Sequence, residues 1–164
     1  MNHNLLTILL THNRWANRNI LDACALLTED QLHRRFEMGP GSLHDTLLHT
    51  IFAMGAWADV LSNRPVRPRP DGERFPINQL RAMHEALCDE LDRLAAARPL
   101  DETVSRTRDG TTYNYTRAVA LTHVTTHGIH HRAQCLNMLR HMDIAPLPKS
   151  SIAEWSLETA AVPA

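Results

Sequence analysis

Ala120-Leu121-Thr122-His123-Val124-Thr125-Thr126-His127-Gly128-Ile129-His130-His131-Arg132-Ala133-Gln134-Cys135 is the stretch on which the reading of this chain turns. It lies inside the longest helical pattern of the sequence, from about Tyr115 to His141, which Pro146 and Pro148 close. At about 100° per residue with His127 at zero, Ala120 and Met138 fall at about 20°, Val124 and Met142 at about 60° and Cys135 at about 80°. The buried stripe is therefore centred at about 60°, with His131 inside it and His127 at its edge. His123 and His130 fall on the flank. Two histidines one turn apart on an inward stripe can aim both imidazoles at one point, because residues four apart are stacked neighbours on a helix.

Working outward, three more helical patterns precede this one. Leu5, Leu9, Ala16, Ile20, Ala23 and Leu27 cluster on one stripe and predict a helix ending near Thr28. Gly39-Pro40-Gly41 breaks the chain, and Ser42 is placed to cap a helix that runs to about Ser62. Asn63 to Pro76 holds four prolines and four arginines (Arg64, Arg67, Arg69, Arg74) and reads as an exposed, solvated crossover loop. Ile77, Leu80, Leu87, Leu91 and Leu94 define the next helix, which should stop before Pro99. Glu102 to Tyr113, rich in β-branched residues around Asp109-Gly110, predicts a small hairpin, and Ser151 to Leu157 a short C-terminal helix. The expected fold is all-α, a four-helix bundle in one domain over 1–164.

Composition removes several classes of function. The chain has 164 residues, and 17 Lys and Arg against 18 Asp and Glu give a formal charge of −1, without the basic footprint of a nucleic-acid binder. Apolar runs stop well short of a membrane span. Met1-Asn2-His3-Asn4 has no basic region, so no secretory signal is expected. Cys24, Cys88 and Cys135 have no paired spacing and read as core residues in a reducing, cytoplasmic compartment. Histidine is the exceptional residue: 11 are present, against 3 Trp, 3 Phe and 2 Tyr.

A metal needs more than one pair of ligands, and the helix after Ser42 offers His44 and His49. With His49 at zero, Val60, Ala53 and Trp57 fall at about 20°, 40° and 80°, which puts His49 at the edge of the inward stripe and His44 on the far side. His49, His127 and His131 thus form the most economical metal set. Neutral imidazoles suit Zn, Ni, Cu or Fe rather than Ca or Mg, and three protein ligands leave a position open for water or substrate. His12 and His84 also face inward and read as hydrogen-bonded core residues. No Glu-x-x-His pair, H-E-x-x-H, G-x-S-x-G or P-loop is present.

Three stretches resemble the DinB-like (DinB/YfiT) superfamily: His12-Asn13-Arg14-Trp15-Ala16-Asn17, Ser42-Leu43-His44-Asp45-Thr46-Leu47-Leu48-His49, and His123 to Gln134. The resemblance implies an up-down-down-up bundle holding a divalent metal, Zn or Ni, on three histidines, which by motif position are the same His49, His127 and His131. It also implies a transferase, hydrolase or isomerase that activates a thiolate or water, with a low-molecular-weight thiol as cosubstrate and a small-molecule substrate. His12 and Asn13 would then supply polar contacts around the site. The alternative is a non-catalytic, dimeric metal-binding bundle serving as a stress-response module. Apolar Ile8, Leu26 and Trp15 lie off the main stripe of the first helix, and together with the resemblance they predict a homodimer.

Overall fold

Ser42 does cap its helix, its side chain accepting from the Asp45 amide at 3.1 Å, and the boundaries of the other long elements follow similarly local rules. The computed structural model describes residues 4–70 and 72–160. The N-terminal Met1-Asn2-His3 read for a secretory signal lies outside the described residues. In chain order the elements are α1 (Leu5–Cys24), α2 (Glu29–His33), α3 (Leu43–Leu61), α4 (Ile77–Ala97), β1 (Thr103–Arg108), β2 (Thr111–Thr116), α5 (Arg117–His141) and α6 (Ile152–Ala160). The fold is an all-α bundle with one hairpin and a short C-terminal helix.

α1 ends about four residues earlier than its apolar stripe predicts, because Thr28 and Gln31 form a capping box that starts α2. β1 and β2 pair antiparallel with Arg108 opposite Thr111. Asp109 and Gly110 both take positive φ, 51° and 75°, the backbone of a type I′ hairpin turn. β2 runs on to Thr116, whose side chain then caps α5 at Val119, so α5 begins two residues later than the periodicity suggests.

Helix directions follow from side-chain pairs. Arg14 meets Glu85 and Asp89 while Asp22 meets Arg81, so α1 and α4 are antiparallel. Trp57 meets His123 and His49 meets His127, so α3 and α5 are antiparallel. The fully buried Arg117 donates to Leu61 O at 2.9 Å and also to Leu94 O. The C-terminal ends of α3 and α4 therefore lie side by side, and these helices are parallel. This is the up-down-down-up order. The negative ends of two helix dipoles and two otherwise unpaired carbonyls surround the Arg117 cation, which is how a charge is tolerated there. The core between the helices is filled by Ile20, Leu21, Leu43, Ile51, Leu80, Leu91, Leu121, Met138 and Leu139, each 2 % exposed or less. Burial of each such side chain contributes about 1.5–3 kcal/mol.

Two expectations need correction. His44 is buried rather than on an open far side: Phe75 O lies 3.0 Å from its Nε2, and its ring lies 4.6 Å from that of His33. The projection treats a helix as covered on one side, whereas α2 and the segment leading into α4 cover the second side of α3. Trp15 faces the chain's own α6, its indole N–H donating to Glu158 at 3.0 Å. The crossover loop is likewise less free than its composition implies. Arg67 grips the buried Asp59 with Nε at 2.7 Å, an NH2 group at 2.8 Å and its backbone N–H at 3.1 Å, and Arg64 adds a fourth bond at 3.0 Å. Burial alone would raise the Asp59 pKa, but these arginines outweigh it and hold the group below its usual range.

Candidate metal centre

α3 and α5 cross where His49 faces the one-turn pair His127 and His131, and the structure brings these three together as the projection requires. Nε2 of His127 lies 3.2 Å from Nε2 of His49 and 3.1 Å from Nε2 of His131. The candidate ligand atoms of all three lie within 4.8 Å of one another, and among the described residues this is the group of three or more side chains suited to a metal ion. Zn–N bonds of about 2.0–2.1 Å at tetrahedral angles place ligand nitrogens roughly 3.3 Å apart. The two shortest separations are close to that spacing, so these residues fit a divalent transition ion.

The electrostatics favour lone pairs over protons. Burial, then the charges of His131 and Arg69, push the His49 pKa down to about 4. Burial and the neighbouring histidines push His127 down to about 3. Burial lowers His131 as well, against the opposing effect of its bond to Gln134. All three imidazoles are neutral at pH 7, the state in which histidine binds metal.

The surroundings fix the rings differently. His131 Nδ1 is 2.7 Å from Gln134 Oε1, an acceptor, so His131 donates there and turns its Nε2 lone pair toward His127. The Gln134 amide in turn reaches His130 Nε2 at 3.2 Å. Gly39 lies against this amide with φ +52°, a left-handed backbone that favours glycine, and a Cβ there would press on Gln134 Oε1. His49 has the opposite neighbour. The Arg69 guanidinium donates to its Nδ1 at 3.3 Å.

His12 and Asn13 do not touch the three histidines. His12 Nε2 lies 3.0 Å from Ser150 O, and Asn13 accepts from Arg132 at 2.7 Å. His84 is a core residue beside Cys88, its Nε2 3.4 Å from Sγ. Cys24, Cys88 and Cys135 are free and buried, and burial raises each thiol pKa, to about 12 for Cys24 and Cys88. None is a ready nucleophile. Gln134 and Arg69 went unassigned in the sequence. Gln134 stands one helical turn beyond His131 and is in principle legible from that spacing, whereas Arg69 reaches His49 only through the path of the crossover loop.

Two clefts, each of about 400 Å³, meet at His49. One runs past Asp45 and Pro40; the other runs past His123 and His127 toward the hairpin. A helical bundle with three converging histidines at the mouth of solvent-accessible clefts defines a candidate metal-binding bundle with room for a further ligand. Comparison with protein families makes the assignment specific: the family model for the DinB family matches residues 1–151, and the chain belongs to that family. No curated protein matches it. Among the described residues no helix is long and apolar enough to cross a membrane.

Proposed function

We propose that His49, His127 and His131 hold one divalent transition metal, zinc or nickel, and that the chain is a metal-dependent enzyme acting on a small molecule. The observation that carries the reading is the convergence of three neutral Nε2 atoms beside two clefts. A bound divalent ion would lower the pKa of a thiol or water in its remaining position and supply a nucleophile at neutral pH. The chain's own thiols are buried, so the thiol of an S-transfer reaction would enter from solution as a cosubstrate. What the protein contributes is the set of oriented imidazoles, the Gln134 acceptor that holds one of them, and clefts that admit a further ligand.

The same reading places the protein in the cytoplasm, where three buried free cysteines are stable. It also includes a homodimer, since Leu5 at the start of α1 and Leu26 just beyond its end remain 77 % and 88 % exposed and a second copy is the commonest cover for exposed apolar surface. The decisive experiment is metal analysis of the purified protein and of a His127→Ala, His131→Ala variant, followed by a thiol-transfer screen with and without chelator. Stoichiometric metal in the wild type, lost in the variant, with chelator-sensitive transfer, supports the proposal. Full metal occupancy in the variant refutes the ligand set. Metal without any chelator-sensitive turnover leaves the non-catalytic bundle as the function. Light scattering that returns a mass of 18.6 kDa rather than twice that refutes the dimer.

A further inference from the structure

The two clefts that meet at His49 differ in charge. The first contains Asp45, which Arg35 neutralises at 2.9 Å. Arg69 borders both; the second adds Arg106 and Arg108, and among the described residues no Asp or Glu lines it. In a chain of net charge −1 this concentration of arginine does not follow from composition. It follows from register: Arg106 and Arg108 are two residues apart on β1 and so share one face of the hairpin. Val104, on the same face, is buried in the core and anchors the strand, so the two cations are carried out over the mouth of the histidine site.

Arg106 is held rather than loose. Its guanidinium carbon sits 5.0 Å from the centre of the Trp57 ring, and Tyr115, across the hairpin, packs edge-on to that ring at 5.3 Å. Stacking orients a guanidinium without using its in-plane N–H groups, and among the described residues no carboxylate pairs with Arg106. Arg108 has Asp109 at 3.4 Å, with both side chains strongly exposed, a pairing worth little in water. The opposite wall is apolar, from Phe52, Ala53 and Val66. Three neutral imidazoles do nothing to offset the charge of a divalent ion, so a loaded metal would add to the positive field rather than cancel it.

We propose that this cleft is the substrate subsite, and that it selects a small organic anion whose acidic group is received by Arg106 while an apolar portion rests on Phe52 and Val66. Arg106 is the specificity-determining residue. The volume of about 400 Å³ lies in the range of small-molecule sites. The proposal rests on the metal reading for its place in catalysis but not for binding the anion, and the two can fail separately.

The test uses benzenesulfonate, a weak ligand for metals, titrated calorimetrically into zinc-loaded and metal-stripped protein, with phenyl methyl sulfone as the uncharged analogue. The anion is expected to bind both forms at least about tenfold more tightly than the sulfone, as for a charge-assisted hydrogen-bonded pair. Arg106→Gln should remove that preference. Arg106→Lys, which keeps the charge but not the fork, should reduce it in part and guards against a hairpin that fails to fold. Arg35→Gln, beside the other cleft, should leave it unchanged. Equal binding of anion and sulfone overturns the proposal, as does an undiminished preference in folded Arg106→Gln. Failure of zinc to bind, with the anion preference intact in metal-stripped protein, overturns the metal reading and leaves the anion subsite standing.

Discussion

Gln134 accepts the Nδ1 proton of His131 at 2.7 Å, and that bond decides which nitrogen His131 turns toward His127. An imidazole with Nδ1 protonated has its lone pair on Nε2, and an acceptor behind the ring also raises the basicity of that lone pair.

Gln134→Ala should therefore weaken zinc binding by about 10- to 100-fold, read by competition with a chromophoric chelator. Gln134→Glu keeps an acceptor at the same reach and should retain affinity. Equal affinities in all three proteins would show that the acceptor does not matter.

Arg69 should act in the other direction. Its bond to His49 Nδ1 at 3.3 Å requires an unprotonated Nδ1, whereas a metal on Nε2 moves the remaining proton to Nδ1 and sets N–H against N–H. The guanidinium charge also opposes a divalent ion nearby. Arg69→Gln is expected to bind zinc more tightly than the wild type, with the difference shrinking at high salt. Weaker binding would contradict this account.

The helices and the triad were legible because both depend on local rules. Ser42 caps, Asp109-Gly110 turns, and the 3.6-residue period puts His49, His127 and His131 on facing stripes. Other features depended on which segment comes to lie where. His44 is buried where a one-sided projection puts it on the far side, because α2, which covers it, is only five residues long and gives no periodic signal. The Thr28–Gln31 capping box was a readable sign of it. The loop arginines read as solvated because Asp59, which binds Arg64 and Arg67, occupies a helical position on α3 whose burial depends on the loop folding back. Arg106 could be assigned to the site only once the hairpin register placed it over Trp57.

Acid should destabilise the metal-free protein before most carboxylates titrate. His49 and His84 lie at about 4 and His127 at about 3, each lowered first by burial, from the ordinary 6.5. Between about 6.5 and about 4 the unfolded chain binds protons that the folded chain does not, so stability falls as pH drops through that window and is flat above it on this account. Urea midpoints of chelated protein at pH 7.5, 6 and 5 should decrease in that order. A constant midpoint across this range would rule the mechanism out.

Gly128→Ala sets two effects against each other. Gly128 lies inside α5, where helix propensity alone favours alanine by about 1 kcal/mol. A Cβ there, however, would stand 2.2 Å from Asn13 Oδ1 and 3.0 Å from an NH1 of Arg132. Asn13 and Asn17 accept from that same NH1 at 2.7 and 3.0 Å, joining α1 to α5. Arg132 is 4 % exposed; burial lowers its pKa to about 10, which leaves it cationic at neutral pH, and among the described residues no carboxylate pairs with it. Displacing Asn13 removes an acceptor from a buried charge, which costs about 1.5–3 kcal/mol and exceeds the propensity gain. The variant should melt a few degrees below the wild type, at about 2–4 °C per kcal/mol for a domain of this size. In an Asn13→Ala background the closer obstruction is gone, only the Arg132 NH1 contact remains, and the same substitution should cost less than in the wild type. A rise in melting temperature in the wild-type background would mean that Asn13 yields without loss and that the α1–α5 link through Arg132 is not what requires glycine at 128.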